Sequence, residues 1–294
     1  MNADRRIEID AHAKVNLTLE VLRRRDDGYH EIVSVIQTIG LHDTLTLEPD
    51  EELTLKCDVP ELESADNLAL RAARLLRDHS GHPDGAAIGL TKRIPVAAGL
   101  GGGSSDAAAV LVGLNRLWGL GMSPQELIPV AASLGSDVPF FLSGGTAMVQ
   151  GRGERVRPLP PADIPWFVIL APAIQVSDKT GSVFSRLTEA QFTPGQLTRK
   201  LEARIRGGGD VPPQFLFNVF DDVAPEVFPN LRRYWDAFRL MGAREVHVAG
   251  SGPSLYAPVS RRELGTTIEL LLRHTHGWDA HLAAAWQPPG DGGA

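Results

Sequence analysis

The stretch Pro95 to Ala108, PVAAGLGGGSSDAA, constrains this chain more than any other. Gly99, Gly101, Gly102 and Gly103 precede Ser104, Ser105 and Asp106. An apolar run with the period of a helix, AAAVLVGLNRLW, follows and contains Gly113. Glycines in series let backbone N–H groups approach an anion with no Cβ in the way. Ser104 or Ser105 is expected to cap the helix, with Asp106 in its first turn, so that the positive end of the helix dipole points into the loop. The pattern predicts a phosphate cradle, although glycines before a helix also serve as a plain turn and cap.

Two common phosphate loops are excluded. The Gly-Lys-Ser/Thr ending of a P-loop is missing, and the dinucleotide fingerprint needs a glycine where Ser104 stands and an unbroken strand before it, which Pro95 interrupts.

At 294 residues, with 43% hydrophobic and 22% charged residues, the chain can bury two ordinary domains. A net charge of −7 argues against binding nucleic acid through a general basic field. No apolar run reaches membrane-spanning length, and MNADRRIEID lacks the apolar core of a signal peptide, so no membrane association and a cytoplasmic location are expected. Cys57 stands alone in LTLKCDV, which predicts a small buried or half-buried residue rather than a disulfide or a nucleophile. The nine histidines show no metal-ligand spacing. No coiled-coil heptad declares an oligomer, leaving monomer or homodimer.

In chain order, RIEIDAHA and VNLTLEVL alternate as two strands, with Lys14 at their junction. Lys14 reads either as a solvated edge residue or as a group placed for chemistry. Asp27-Gly28 predicts a hairpin turn into a strand at 31–39. Tyr29 and His30 either cover that turn or offer an aromatic face and an imidazole to a ligand. DTLTLEP and ELTLKCD predict a further hairpin. A helix then follows at 68–79, with Asp66 or Asn67 as its cap and Gly81 as its stop.

The strand AIGLTKR brings Lys92 to the loop, where it is either solvated or within reach of a nucleotide. A capping box, Ser123-Pro124-Gln125-Glu126, opens a second helix that runs into Gly135-Ser136-Asp137-Val138-Pro139. Asp137 is either a cap or an acid out of place for a purely structural role. The proline-rich segment 158–165 predicts a domain boundary, giving domains at 1–160 and 161–286 and a disordered tail at 287–294. The second half predicts a strand at 166–172, helices near 180–190 and 194–205, a disordered GGGD at 207–210 and a helical region at 217–241. It ends strand, turn, strand, helix, strand.

The loop Pro-x-x-x-Gly-Leu-Gly-Gly-Gly-Ser-Ser-Asp-Ala-Ala resembles the nucleotide loop of the GHMP kinases. Ala13-Lys14-Val15-Asn16-Leu17 is similar to that family's opening motif, Gly135-x-Asp137-x-Pro139 to its aspartate motif, and Gly250-Ser251-Gly252-Pro253-Ser254 to its third, glycine-rich motif. Asn218 to Asp221 resembles the Asn-x-x-Glu/Asp of its middle helix. Gly28-Tyr29-His30 and Thr180 to Phe184 are similar to the branch whose acceptor is a cytidine-diphosphate-linked methylerythritol of the non-mevalonate isoprenoid pathway.

The resemblance implies an α+β chain of two domains, the first ribosomal-S5-like and the second ferredoxin-like. It implies an ATP- and Mg²⁺-dependent kinase acting on the 2-hydroxyl of that acceptor. Lys14 and Asp137 would be catalytic, with Asp137 the base and Lys14 keeping it ionised if the fold brings them together. Asn67, Lys92, Pro95, Gly99, Leu100, Gly101, Gly102, Gly103, Ser104 and Ser105 would bind ATP, one of the two serines touching the metal. Asn16, Tyr29, His30, Phe184 and Thr180 would bind the acceptor, with Ser177 an alternative to Thr180. A mevalonate- or homoserine-type kinase, or a nucleotide- or RNA-binding module on the S5-like fold, are the competing readings.

Overall fold

The computed structural model describes residues 6–289. The chain clusters into two compact units. One takes residues 1–13, 42–96 and 101–143, and the other takes 14–41, 97–100 and 144–294. These units cross the linear division at residue 160 rather than following it, because the two longest strands and the glycine loop contribute to both.

The first unit begins on β1 (Ile7–Arg24) and the far end of β2 (His30–Asp50), and continues with β3 (Leu53–Cys57), α1 (Leu68–Ser80) and β4 (Gly85–Thr91). It is completed by α2 (Gly102–Leu117), α3 (Pro124–Leu134) and the one-turn α4 (Val138–Phe141). The two strands expected at the N-terminus are one, unbroken from Ile7 to Arg24, and both of its faces are buried from Ala13 to Val21.

The hairpin expected from DTLTLEP and ELTLKCD does not form. β4 lies between the two segments, antiparallel to β2 and parallel to β3. It enters where a Cβ on Gly85 would lie 2.2 Å from the backbone carbon of Glu52, so glycine alone fits beside the turn. α1 lies along α2, and their apolar faces close on Leu45, Leu47 and Ile88 of the sheet through Leu76, Val110, Leu111 and Leu114. Each such leucine contributes about 1.5–3 kcal/mol by leaving water. The cap of α1 at Asn67, its left-handed stop at Gly81 and the capping box of α3 form as the sequence predicts.

The second unit holds the rest of β1 and β2, joined by the Arg25–Tyr29 turn with Gly28 at φ +85°. It adds β5 (Thr146–Gly151), β6 (Arg155–Pro158), β7 (Trp166–Ala171), α5 (Lys179–Phe184) and α6 (Gln196–Arg206). After these come β8 (Phe217–Asn218), α7 (Ala224–Val227), α8 (Leu231–Leu240), β9 (His247–Val248), β10 (Leu255–Val259), α9 (Arg262–His276) and β11 (Asp279–Ala284). One sheet of this unit runs β8-β1-β2-β5-β6, and the other, antiparallel throughout, runs β11-β7-β10-β9. Phe220, Phe228, Phe238, Ile268 and Leu272 fill the space beside the second sheet.

Three expectations for this half need correction. The region 217–241 is not one helix: Asn218 ends a strand, and Pro229 stops α7 before α8 begins. Residues 207–210 are ordered, because Arg204 donates from Nε to the Asp210 carbonyl at 2.6 Å and pairs with its carboxylate. The expected tail starts too early, since Gln287 donates to Thr146 Oγ1 at 3.0 Å; residues 290–294 lie outside the described ones. Among the described residues no helix is long and apolar enough to cross a membrane.

Candidate active site

In the first unit the glycine loop stands on a buried ionic cluster. Asp43 is fully buried, and its Oδ1 accepts from the N–H groups of Arg93 at 2.6 Å and Ile94 at 2.8 Å. Lys92 Nζ lies 2.5 Å from Asp43 Oδ2 and 2.8 Å from Asp106 Oδ2. Lys92 is thus not solvated: two carboxylates hold its ammonium, with 6% of its side chain exposed. Burial works against its charge, but Asp106 and Asp43 outweigh burial and hold the ammonium above its usual range. Burial pushes the Asp106 carboxyl up to about 7 despite Lys92, and its Oδ1 has no partner.

α2 starts at Gly102, so neither serine caps it. Gly101 takes the cap position with a left-handed backbone at φ +76°. The N–H groups of Gly102, Gly103 and Ser104 lie in the first turn, ahead of the first intrahelical acceptor, and are donors available to an anion. Ser104 is half-buried and Ser105 is buried, its amide donating to the Gly101 carbonyl at 2.9 Å. Pro95 is half-buried beside the loop. Asn67 spends its side chain locally, accepting from Ala69 N and donating to Leu62 O, both at 2.9 Å. Asp137 occupies the residue before α4, half-buried, and makes no side-chain cap.

In the second unit β1 carries a buried polar face: Lys14, Asn16, Thr18 and Glu20 are each at most 4% exposed. The solvated-edge reading of Lys14 is therefore excluded. Lys14 Nζ donates to Asn16 Oδ1 and Asn16 Nδ2 donates to Ser34 Oγ, each at 2.8 Å, while Ser34 donates to the Thr18 carbonyl. Tyr256 fixes the Asn16 carbonyl at 2.5 Å. Lys14 N donates to the carbonyl of Leu100, which is buried, at 2.9 Å.

The same unit holds loop residues Ala97 to Leu100 against the turn Ala249 to Ser254. Ser254 N donates to Ala98 O at 3.1 Å, and a Cβ on Gly250 would meet Gly99 O at 2.8 Å and Lys14 Nζ at 3.0 Å. Asn218 anchors the turn by donating to the carbonyls of Val248 and Gly250 at 2.7 and 2.8 Å.

Of the acceptor candidates, His30 and Phe184 meet, while Asn16 lies beside Lys14 and Thr180 at the glycine turn. His30 stacks on Phe184 with centroids 4.9 Å apart and planes at 24°, and Phe192 meets it edge-on. Burial pushes the His30 imidazole below its ordinary value, with Arg24 adding to the effect. Tyr29 is 54% exposed, with the Arg152 guanidinium 4.7 Å from its ring centre. Thr180 Oγ1 lies 3.1 Å from Ser251 Oγ, which places Thr180 at the glycine turn.

Sequence reasoning missed Asp43, Ser34 and Lys179. Asp43 had a signal: it shares the alternation face of Leu45 and Leu47, an acid in line with core residues. Ser34 and Lys179 carry no such signal, since their partners lie far away in the chain.

Residues 67–145 match the family model described as the GHMP kinases N terminal domain. The chain is 48% identical to the 4-diphosphocytidyl-2-C-methyl-D-erythritol kinase of Symbiobacterium thermophilum, over 88% of this chain and 93% of that one. It is 42% identical to the enzyme of the same name from Dehalococcoides mccartyi, over 88% and 91%. A crystal structure of 4-(cytidine 5'-diphospho)-2C-methyl-D-erythritol kinase superposes with TM-score 0.82 at 34% identity, covering 96% of this chain and all of that one. Homoserine kinase from Cytophaga hutchinsonii, at TM-score 0.76 and 18% identity over 98% of this chain and 96% of its own, shares the fold.

Proposed function

The chain belongs to the 4-diphosphocytidyl-2-C-methyl-D-erythritol kinases, a branch of the GHMP kinases, and from that premise we propose how its own residues divide the reaction. It is an ATP-dependent small-molecule kinase, and its acceptor is 4-diphosphocytidyl-2-C-methyl-D-erythritol, phosphorylated on the 2-hydroxyl. The observation that carries the acceptor assignment is the His30–Phe184 stack. A pyrimidine stacked on such rings gains about 1–3 kcal/mol, and a neutral imidazole donates to or accepts from its edge.

Phosphoryl transfer asks mainly for positioning and for positive potential at the moving phosphate. The N–H groups of Gly102, Gly103 and Ser104, at the positive end of α2, supply both. Asp137 takes the proton of the acceptor hydroxyl, and Lys14, oriented through Asn16 and Ser34, faces that hydroxyl with its charge.

Mg²⁺ fits this donor set. The described residues hold no cluster of three carboxylate, histidine or cysteine ligands, which suits an ion kept mostly by phosphates and water, and Ser104, half-buried, would add its hydroxyl. Ser105, at 3% exposure, is the poorer candidate. When bound, the ion neutralises charge on the phosphates.

Coupled ADP release with Mg-ATP and the cytidylyl acceptor, beside mevalonate and homoserine, tests the assignment. Turnover with the cytidylyl compound alone is expected. Turnover with either of the others would remove Tyr29, His30 and Phe184 from the acceptor role.

A further inference from the structure

Lys179, which the motifs leave without a role, sits where three parts of the second unit converge. Its ammonium donates to the carbonyl of Ala97 at 2.6 Å and to that of Gly252 at 3.1 Å. Ala97 belongs to the phosphate loop, and Gly252 to the glycine turn. Ala97 is one of the few described non-glycine residues with a left-handed backbone, φ +55°, a conformation that persists only where surrounding contacts impose it. A charged donor on its carbonyl is such a contact.

Lys179 also opens α5, whose cap, Asp178, accepts from Gly181 N at 3.2 Å. The next residue, Thr180, contacts Ser251, and the last, Phe184, stacks on His30 and meets Phe220 edge-on at 4.8 Å. One short rigid helix therefore touches the phosphate loop and the glycine turn at its start and the acceptor's aromatic pair at its end. A base that settles against Phe184 cannot shift α5 without moving the donor on Ala97.

We propose that Lys179 is a positioning residue that couples occupancy of the cytosine-stacking pair to the affinity of the phosphate loop for ATP. The inference rests on the acceptor assignment made above. Its consequence is reciprocal: a cytidine diphosphate group tightens ATP by the same factor as ATP tightens the cytidine diphosphate group.

The test is calorimetric titration of the Mg²⁺ complex of the β,γ-imido analogue of ATP into the full chain, with and without saturating CDP. Wild type is compared with Lys179→Met, Lys179→Gln and Lys179→Arg. CDP is expected to tighten the analogue by about five-fold or more in wild type, within the ordinary range of coupling between sites. In Lys179→Met that factor falls to near unity while CDP alone binds as in wild type. Lys179→Arg, which keeps a charged donor, retains most of it.

A merely structural lysine would change the melting temperature or both affinities and leave their ratio alone. If Lys179→Met fails to fold, Lys179→Gln, which keeps a neutral donor, gives the same reading. A wild type without coupling, or a neutral variant with the full factor, overturns the proposal. Turnover of the complete acceptor by wild type separates the two ideas: its absence removes the acceptor assignment and this inference together. Turnover with coupling intact in Lys179→Met removes the inference alone.

Discussion

A Cβ on Gly99 would lie 2.1 Å from the carbonyl oxygen of Ala249. Gly99 also has φ +87°, so a side chain there meets backbone in space and strain along the chain. Gly103 differs, because a Cβ there would touch only a methyl of Leu68 at an ordinary 3.5 Å. Gly99→Ala is therefore expected to displace the loop from the turn and lower kcat/KM for ATP by about a hundredfold, some 2.7 kcal/mol. Gly103→Ala should stay within a few-fold in the same assay. Equal effects from the two would mean that the loop tolerates displacement.

Lys92 stands between Asp43 and Asp106, all three deeply buried. Lys92→Met leaves two carboxylates facing each other without a cation, and breaking a buried pair in this way costs about 3–5 kcal/mol. The expected result is a large loss of thermal stability. Adding Asp43→Asn to Lys92→Met should recover part of it, as a double-mutant cycle would measure. Additive losses would show that the cluster does not act as a unit.

Ser34 receives Asn16 Nδ2 and passes a hydrogen bond to the Thr18 carbonyl, so it orients the side chain that holds Lys14. Ser34→Ala removes a buried acceptor and leaves the Asn16 amide short of a partner, a cost of about 1–3 kcal/mol. The expected signature is a fall in kcat of about tenfold, 1.4 kcal/mol, with KM for ATP little changed. A rise in KM for ATP at constant kcat would place the chain of bonds in nucleotide binding instead.

How much of this was legible without coordinates depends on the range of each interaction. The caps of α1 and α3, the Gly28 turn and the glycine loop are local, and local residues specify them. The burial of Lys14 is not legible in the same way, because alternation reports that one face of a strand differs from the other, not what covers it. Asn16, Thr18 and Glu20 find Ser34, Val35 and Thr198 across loops no periodicity could connect. The insertion of β4 between β2 and β3 is illegible for the same reason, since adjacency in sequence predicts a hairpin. The cap of α2 falls at Gly101, ahead of both serines, because glycine, with a left-handed backbone, can cap where a hydroxyl is expected.

Asp137 precedes α4 without capping it, half-buried. As the proposed base, Asp137→Ala should lower kcat by about 10² to 10⁴, the ordinary contribution of a positioned base, while ATP affinity survives. Titration of the ATP analogue beside a turnover assay checks both halves. A variant that keeps most of its turnover removes Asp137 from the role.

His30 is half-buried against Phe184. Burial, with Arg24 nearby, lowers its folded-state value below the ordinary 6.5. A depressed histidine contributes stability that is present above its unfolded value and is lost as pH falls through the folded one. In a site built on stacking, the protonated ring would also lose its acceptor for the pyrimidine edge and be repelled by Arg24. KM for the cytidylyl acceptor is therefore expected to stay flat above pH 6.5, as far as His30 governs it, and to rise only in more acidic solution. KM for ATP should not follow it. His30→Gln, which keeps one donor and one acceptor but cannot titrate here, should raise the acceptor KM at neutral pH and abolish its acid limb. An acid limb unchanged in that variant would assign the titration elsewhere and leave His30 as a support for Phe184.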